Sequence, residues 1–87
     1  MNDLDNLRSK INDIDAQIVE LLLERFAVVK DVAEYKKAHG LEILQKNREA
    51  EVLQNISDKI DNPKYKEYIL EIYETILKTS KSSQKLM

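Results

Sequence analysis

Large apolar residues recur at alternating three- and four-residue steps through the first forty positions: Leu4, Leu7, Ile11, Ile14, Ile18, Leu21, then Val28, Val32 and Tyr35. A 3–4 repeat sustained over that length predicts one long helix with a packed seam along its whole extent. Its bounds fall at about Asp3 and His39, with Asn2 or Asp3 as N-cap and Gly40 just past the end, where a positive φ is required. A second helix is expected over about Gln45 to Ile60, with Val52, Leu53, Ile56 and Ile60 on its inner face. Asp61-Asn62-Pro63 reads as a turn, with Asn62 as N-cap and Pro63 as the first residue of a third helix. That helix carries Tyr65, Ile69, Ile72, Tyr73, Ile76 and Leu77 and then becomes polar, from Lys78 to Gln84. With one Gly and one Pro in 87 residues, the chain has few local breakers. The pattern predicts an all-α fold of three helices, one long and two shorter, in a single domain spanning residues 1–87, with no internal repeat.

The length of the first helix carries a consequence for assembly. About 36 residues at 1.5 Å each make a rod of ~54 Å, whereas a compact domain of this size has a radius of gyration near ~12 Å. The segment after Gly40 is too short to cover such a seam. A second copy can cover it, so an intertwined helical homodimer is expected.

Polar side chains interrupt the apolar faces at a few positions. Arg25 stands where the seam is due a core residue, between Leu21 and Val28. A buried guanidinium is costly unless it meets an anion. A register device or an ion pair with Glu49 would explain it without any ligand. Lys36 follows 11 residues later, close to three turns, so the two cations share nearly one face about 16 Å apart along the axis. Taken alone, Lys36 is a side chain snorkelling beside the seam. Arg8, 17 residues before Arg25, lies ~26 Å away and about a quarter-turn off that face. It cannot serve the same ligand from its own chain. In an antiparallel pairing of two long helices it approaches Arg25 of the other copy; otherwise it is a solvated surface charge.

On the second helix, Gln45, Arg48, Glu49 and Val52 fall at i, i+3, i+4 and i+7, which continues the inner stripe in polar form. On the third, Ser80 and Gln84 follow Tyr73 and Leu77 by one heptad. Taken by themselves, those two are better explained by a fraying chain end.

Composition narrows the function classes. Fourteen basic against sixteen acidic residues give a formal charge of −2, which is no footprint for nucleic acid. No apolar run approaches the roughly 18 residues of a membrane span. The start of the chain is acidic and has no apolar leader, so a cytoplasmic location is expected. There is no Cys to form a disulfide or a thiolate site. The single histidine, His39, suits dipole compensation at a helix end. No carboxylate–histidine set has metal-ligand spacing and no Gly-rich phosphate loop occurs, so neither a metal nor a cofactor is implied.

Taken together and in order, these residues resemble the all-α chorismate mutase family. Leu7-Arg8-Ser9-Lys10-Ile11-Asn12-Asp13-Ile14-Asp15 is similar to the family's opening segment. Leu21-Leu22-Leu23-Glu24-Arg25 and Lys36 match its long helix, Arg48-Glu49 its second, and Ser80 with Gln84 the Ser-x-x-x-Gln of its third. Each motif is weak alone; their joint spacing over nearly the whole chain is specific. Gln45 departs from the pattern, since relatives often carry an acidic residue there.

The resemblance implies a homodimer with two active sites that rearranges chorismate to prephenate. It also implies that Arg25, and Arg8 from the partner chain, bind the two carboxylates. Lys36 would bridge a carboxylate and the ether oxygen, to which Gln84 would also donate. Glu49 would accept from the ring hydroxyl, with the main-chain amide of Gln45 nearby. Ser80 would assist at a carboxylate, and Arg48 would order the pocket.

A pericyclic rearrangement needs no nucleophile, metal or proton relay, which suits a chain lacking all three. It needs a fixed conformer and stabilisation of the charge that grows on the ether oxygen. Two other functions fit the same residues: pyruvate elimination from isochorismate on the same scaffold, and a non-catalytic helical module that dimerises or senses an aromatic metabolite.

Overall fold

The computed structural model describes residues 2–42 and 47–85. Helix α1 runs Asp3–Ala38, α2 Arg48–Asp58 and α3 Pro63–Lys85. The all-α expectation holds, and the described residues contain no strand.

Local chemistry sets most of the boundaries. Asn2 is extended, and its side chain accepts the Asp5 amide at 2.7 Å, capping α1. Asp3 and Asp5 in the first turn and Lys36 and Lys37 in the last complement the helix dipole. At the other end, the Leu41 amide donates to the Lys36 carbonyl at 2.8 Å and the Gly40 amide to that of Lys37 at 3.4 Å. This paired closure needs a left-handed residue, and Gly40 supplies it with φ of 67°. Asn62 accepts the Lys64 amide at 3.0 Å and starts α3 with Pro63 in its first turn.

Helix α2 stops short of the expected Ile60. The amides of Lys59 and Ile60 turn back to the carbonyls of Ile56 and Ser57, tightening the last turn. The expected start of that helix, Gln45, lies outside the described residues. The polar end of the chain does not fray at Ser80: α3 continues through it to Lys85.

Helix α3 is the middle element, packing on α1 with one flank and on α2 with the other; among the described residues α1 and α2 do not pack on each other. The molecule measures 57 × 27 × 16 Å, with a radius of gyration of 16.5 Å, well above the ~12 Å of a compact domain of this length.

The packed stripe of α1 differs in its second half from the strict heptad. The residues withdrawn from solvent are Leu22, Arg25, Val29, Ala33 and Lys36, while Leu21, Val28, Val32 and Tyr35 stay exposed. A straight helix turns about 20° per heptad away from a 3.5-residue repeat, so its buried stripe drifts by one position within a few turns. Arg25 is therefore not a gap in the seam. It is a regular member of the stripe facing α3. At 100° per residue, this stripe continues toward the N-terminus as Ile18, Ile14, Ile11, Leu7 and Leu4, all 48–55% exposed.

Candidate functional site

The polar side chains gather where α3 crosses the second half of α1. Looking along α3 at 100° per residue, Leu77 points inward, Ser80 is turned to one side, Lys81 to the other, and Gln84 returns close to the Leu77 direction. Ser80 thereby faces α1 and Lys81 faces α2.

On the α1 side, Arg25 donates from Nη1 to Ser80 Oγ at 2.5 Å. Ser80 is 5% exposed, the buried polar residue of the described chain. Its hydroxyl donates in turn to the Ile76 carbonyl at 2.8 Å, one turn back on α3. A hydroxyl has one proton and two acceptor positions. The proton is committed to the backbone and one acceptor position to Arg25, so Ser80 anchors the guanidinium. An Arg25–Glu49 ion pair, one of the two ligand-free accounts of Arg25, is not present among the described contacts.

On the α2 side, Lys81 Nζ meets Glu49 Oε1 at 2.5 Å, with both side chains a little over two-fifths exposed. Glu49 begins the half-buried stripe that continues as Val52, Leu53 and Ile56. Arg48 turns the other way, toward solvent, where it forms an i,i+3 pair with Glu51 at 3.4 Å. Within one chain, Arg48 is therefore not brought into the cluster.

Gln84 follows Ser80 by four residues and Lys81 by three, one turn further along α3. Its Oε1 is buried without a hydrogen-bond partner. Buried polar atoms are nearly always satisfied, and the exceptions need a reason. Amide oxygen and nitrogen are interchangeable by a 180° rotation. Gln84 thus presents either an acceptor or a donor to that enclosed spot, one turn of α3 beyond the Ser80 that holds Arg25.

Lys36, half-buried on the Arg25 stripe, has a polar contact of its own. Arg8 is exposed in the first half of α1, 17 residues before Arg25. Gln45 lies outside the described residues. Of the candidates from the sequence, Arg25 is joined to Ser80 and Glu49 is tied to α3 through Lys81, Lys36 and Gln84 are partly buried on the inward faces of α1 and α3, and Arg8 and Arg48 are exposed.

Lys81 was not among the sequence candidates. The available signal was its place four residues after Leu77 and three before Gln84, on the inner face of α3 rather than in the solvated tail. Among the described residues no group of His, Cys, Asp or Glu could hold a metal ion, and no helix is long and apolar enough to cross a membrane.

The chain matches the family model described as chorismate mutase type II over residues 7–85. It is 32% identical over 83 residues to a chorismate mutase of Methanocaldococcus jannaschii, covering 94% of this chain and 84% of that protein. It is 37% identical over 87 residues to the bifunctional chorismate mutase/prephenate dehydratase of Buchnera aphidicola, covering 97% of this chain and 22% of that protein. A T-protein of Haemophilus influenzae is 37% identical over 54 residues, 62% of this chain and 14% of its own length.

Proposed function

The chain belongs to the chorismate mutase type II family and is accordingly an isomerase, and on that premise we propose that it rearranges chorismate to prephenate in a pocket completed by a second copy of the chain. The observation that carries the proposal is the placement of Arg25 on the packed face of α1, anchored by the buried Ser80, with the buried, partnerless Oε1 of Gln84 one turn further along α3. A fixed cation and a buried amide one turn apart on the same helix contact suit an anionic guest that must be held in one conformer.

In this scheme Arg25 grips one substrate carboxylate. Ser80 acts on it indirectly, since its proton is engaged by the Ile76 carbonyl. Lys36 lies on the same stripe and supplies a second positive group at the ether oxygen, where negative charge develops as the C–O bond breaks. Gln84, rotated to present its amide NH₂, donates to the same oxygen. Glu49 accepts from the ring hydroxyl. A preorganised donor at developing charge contributes roughly 2.7–4 kcal/mol. Two of them supply most of the ~8 kcal/mol that a 10⁶-fold acceleration requires.

The homodimer supports the same scheme. Leu4, Leu7, Ile11, Ile14 and Ile18 continue the face that α3 covers further along, yet each remains about half exposed. Covering the remaining area contributes on the order of 1 kcal/mol per side chain, so ten side chains from two copies contribute ~10 kcal/mol, on the scale of the roughly 4–15 kcal/mol cost of association. Antiparallel pairing on this face brings Arg8 of one copy to Arg25 of the other and supplies the second carboxylate ligand. Arg48 contributes only if assembly turns it away from Glu51. The lack of cysteine suits a reducing compartment, in keeping with a cytoplasmic location.

The test is to follow chorismate loss with the purified chain and identify the product. Prephenate formation supports the assignment. Pyruvate release from isochorismate points to the lyase, and absence of turnover with both substrates to a binding module.

A further inference from the structure

Lys81 and Glu49 form the ion pair that joins α3 to α2 on the face where Gln84 is enclosed. Taken as a half-exposed surface pair, it would contribute little to stability. Its position argues for more. Lys81 follows Ser80 directly and precedes Gln84 by three residues. One turn of α3 therefore delivers three polar groups to one place: Ser80 to Arg25, Gln84 to the enclosed spot, and Lys81 to Glu49.

Charge gives the pair a task in such a site. A site for a doubly anionic guest gathers cations, and a bare carboxylate in its wall works against them. Glu49 is such a carboxylate. A cation clasped to its Oε1 cancels the repulsion and leaves the other oxygen available to accept from a hydroxyl.

We propose that Lys81 is a positioning residue of the active site: it neutralises and orients Glu49 so that a carboxylate can recognise the hydroxyl of a dianionic substrate without repelling it. The role rests on the chorismate mutase function proposed above and on Glu49 facing the ring hydroxyl. It requires no direct contact between Lys81 and the substrate.

The experiment measures kcat and KM separately for Lys81→Met, Lys81→Arg, Glu49→Gln and the double variant Glu49→Gln/Lys81→Met, with helix content checked by circular dichroism. Lys81→Met should raise KM roughly five- to tenfold, the scale of one uncompensated charge near a solvated anion, with kcat changed less than about threefold. Lys81→Arg should restore the wild-type KM within about twofold. In the Glu49→Gln background, Lys81→Met should move KM by less than about twofold, because no carboxylate remains to be neutralised.

An unmoved KM in Lys81→Met would overturn the role. So would an equal rise in the Glu49→Gln background, which would mean that Lys81 acts on the fold or on the substrate itself. Wild-type turnover is measured in the same series. Its absence defeats the assignment of the reaction, whereas an active wild type with an indifferent Lys81→Met defeats only the role of Lys81.

Discussion

The two halves of α1 have the same periodicity and opposite fates. From Leu22 to Lys36 the inward stripe lies under α3, and its polar members are held: Arg25 by Ser80, with Ala33 buried at 2% exposure nearby. From Leu4 to Ile18 the same stripe is purely apolar and lies open, each residue about half exposed. The covered half carries charge and the open half carries grease. A single isolated chain would favour the reverse, because water solvates cations and penalises exposed leucines. The difference is what the proposed function requires, with a ligand site in the covered half and contact with a second copy in the open half.

The comparison can be broken most forcefully in the covered half. Lys36→Ala should lower kcat by about 10²–10³-fold with little change in KM, as expected for a group whose contact strengthens in the transition state. Steady-state kinetics at saturating chorismate read this directly, and an unchanged kcat would remove Lys36 from the chemistry.

Ile14→Asp attacks the open half. Two unpaired carboxylates at a self-associating face should weaken the dimer by at least 100-fold. Sedimentation velocity should show monomer at concentrations where the parent chain is dimeric, and activity should become concentration-dependent. If the parent chain sediments as a monomer, the open half has another purpose.

Gln84→Glu tests which atom of the amide faces the enclosed spot. A carboxylate there repels the charge developing on the ether oxygen, and only the protonated acid donates. Activity should be confined to acidic pH, where the introduced carboxyl is protonated. A pH–rate profile as flat as that of the parent would show that Gln84 does not donate to the ether oxygen.

Ser80→Ala sharpens the role of the anchor. Losing one hydrogen bond to a charged group should cost roughly tenfold in kcat/KM, through a less ordered Arg25. A loss as large as that of Lys36→Ala would mean that the hydroxyl touches substrate after all. The smallest effect belongs to the exposed Arg48–Glu51 pair: Glu51→Ala should change stability by less than about 0.5 kcal/mol by thermal unfolding.

Much of this was legible in the sequence because it depends on local chemistry. The long 3–4 repeat, Asn2, Gly40 and Asn62-Pro63 specify α1 and the start of α3 through periodicity, capping and a left-handed closure. What sequence spacing did not resolve was which of two adjacent apolar columns of α1 faces inward. Leu21/Val28/Val32 and Leu22/Val29/Ala33 are equally apolar. Only the geometry of a straight helix, with α3 against it, selects the second. The site shows the same division. Arg25 stood out as a cation on an apolar face. Lys81 did not, because a lysine among Lys78, Ser82 and Ser83 looks like an ordinary solvated tail until the helix is seen to continue through it.

The shared pocket can be tested by mixing two crippled chains. Arg8→Ala and Arg25→Ala should each be nearly inactive alone, since every site in either homodimer lacks one arginine. After mixing and subunit exchange, half of the dimers are hybrids, and each hybrid carries one intact site, so about a quarter of the parent activity should return. Recovery near that level is the predicted result. If the mixture stays as inactive as its two components while both variants remain dimeric, Arg8 and Arg25 do not meet across two copies, and the site described here is not shared.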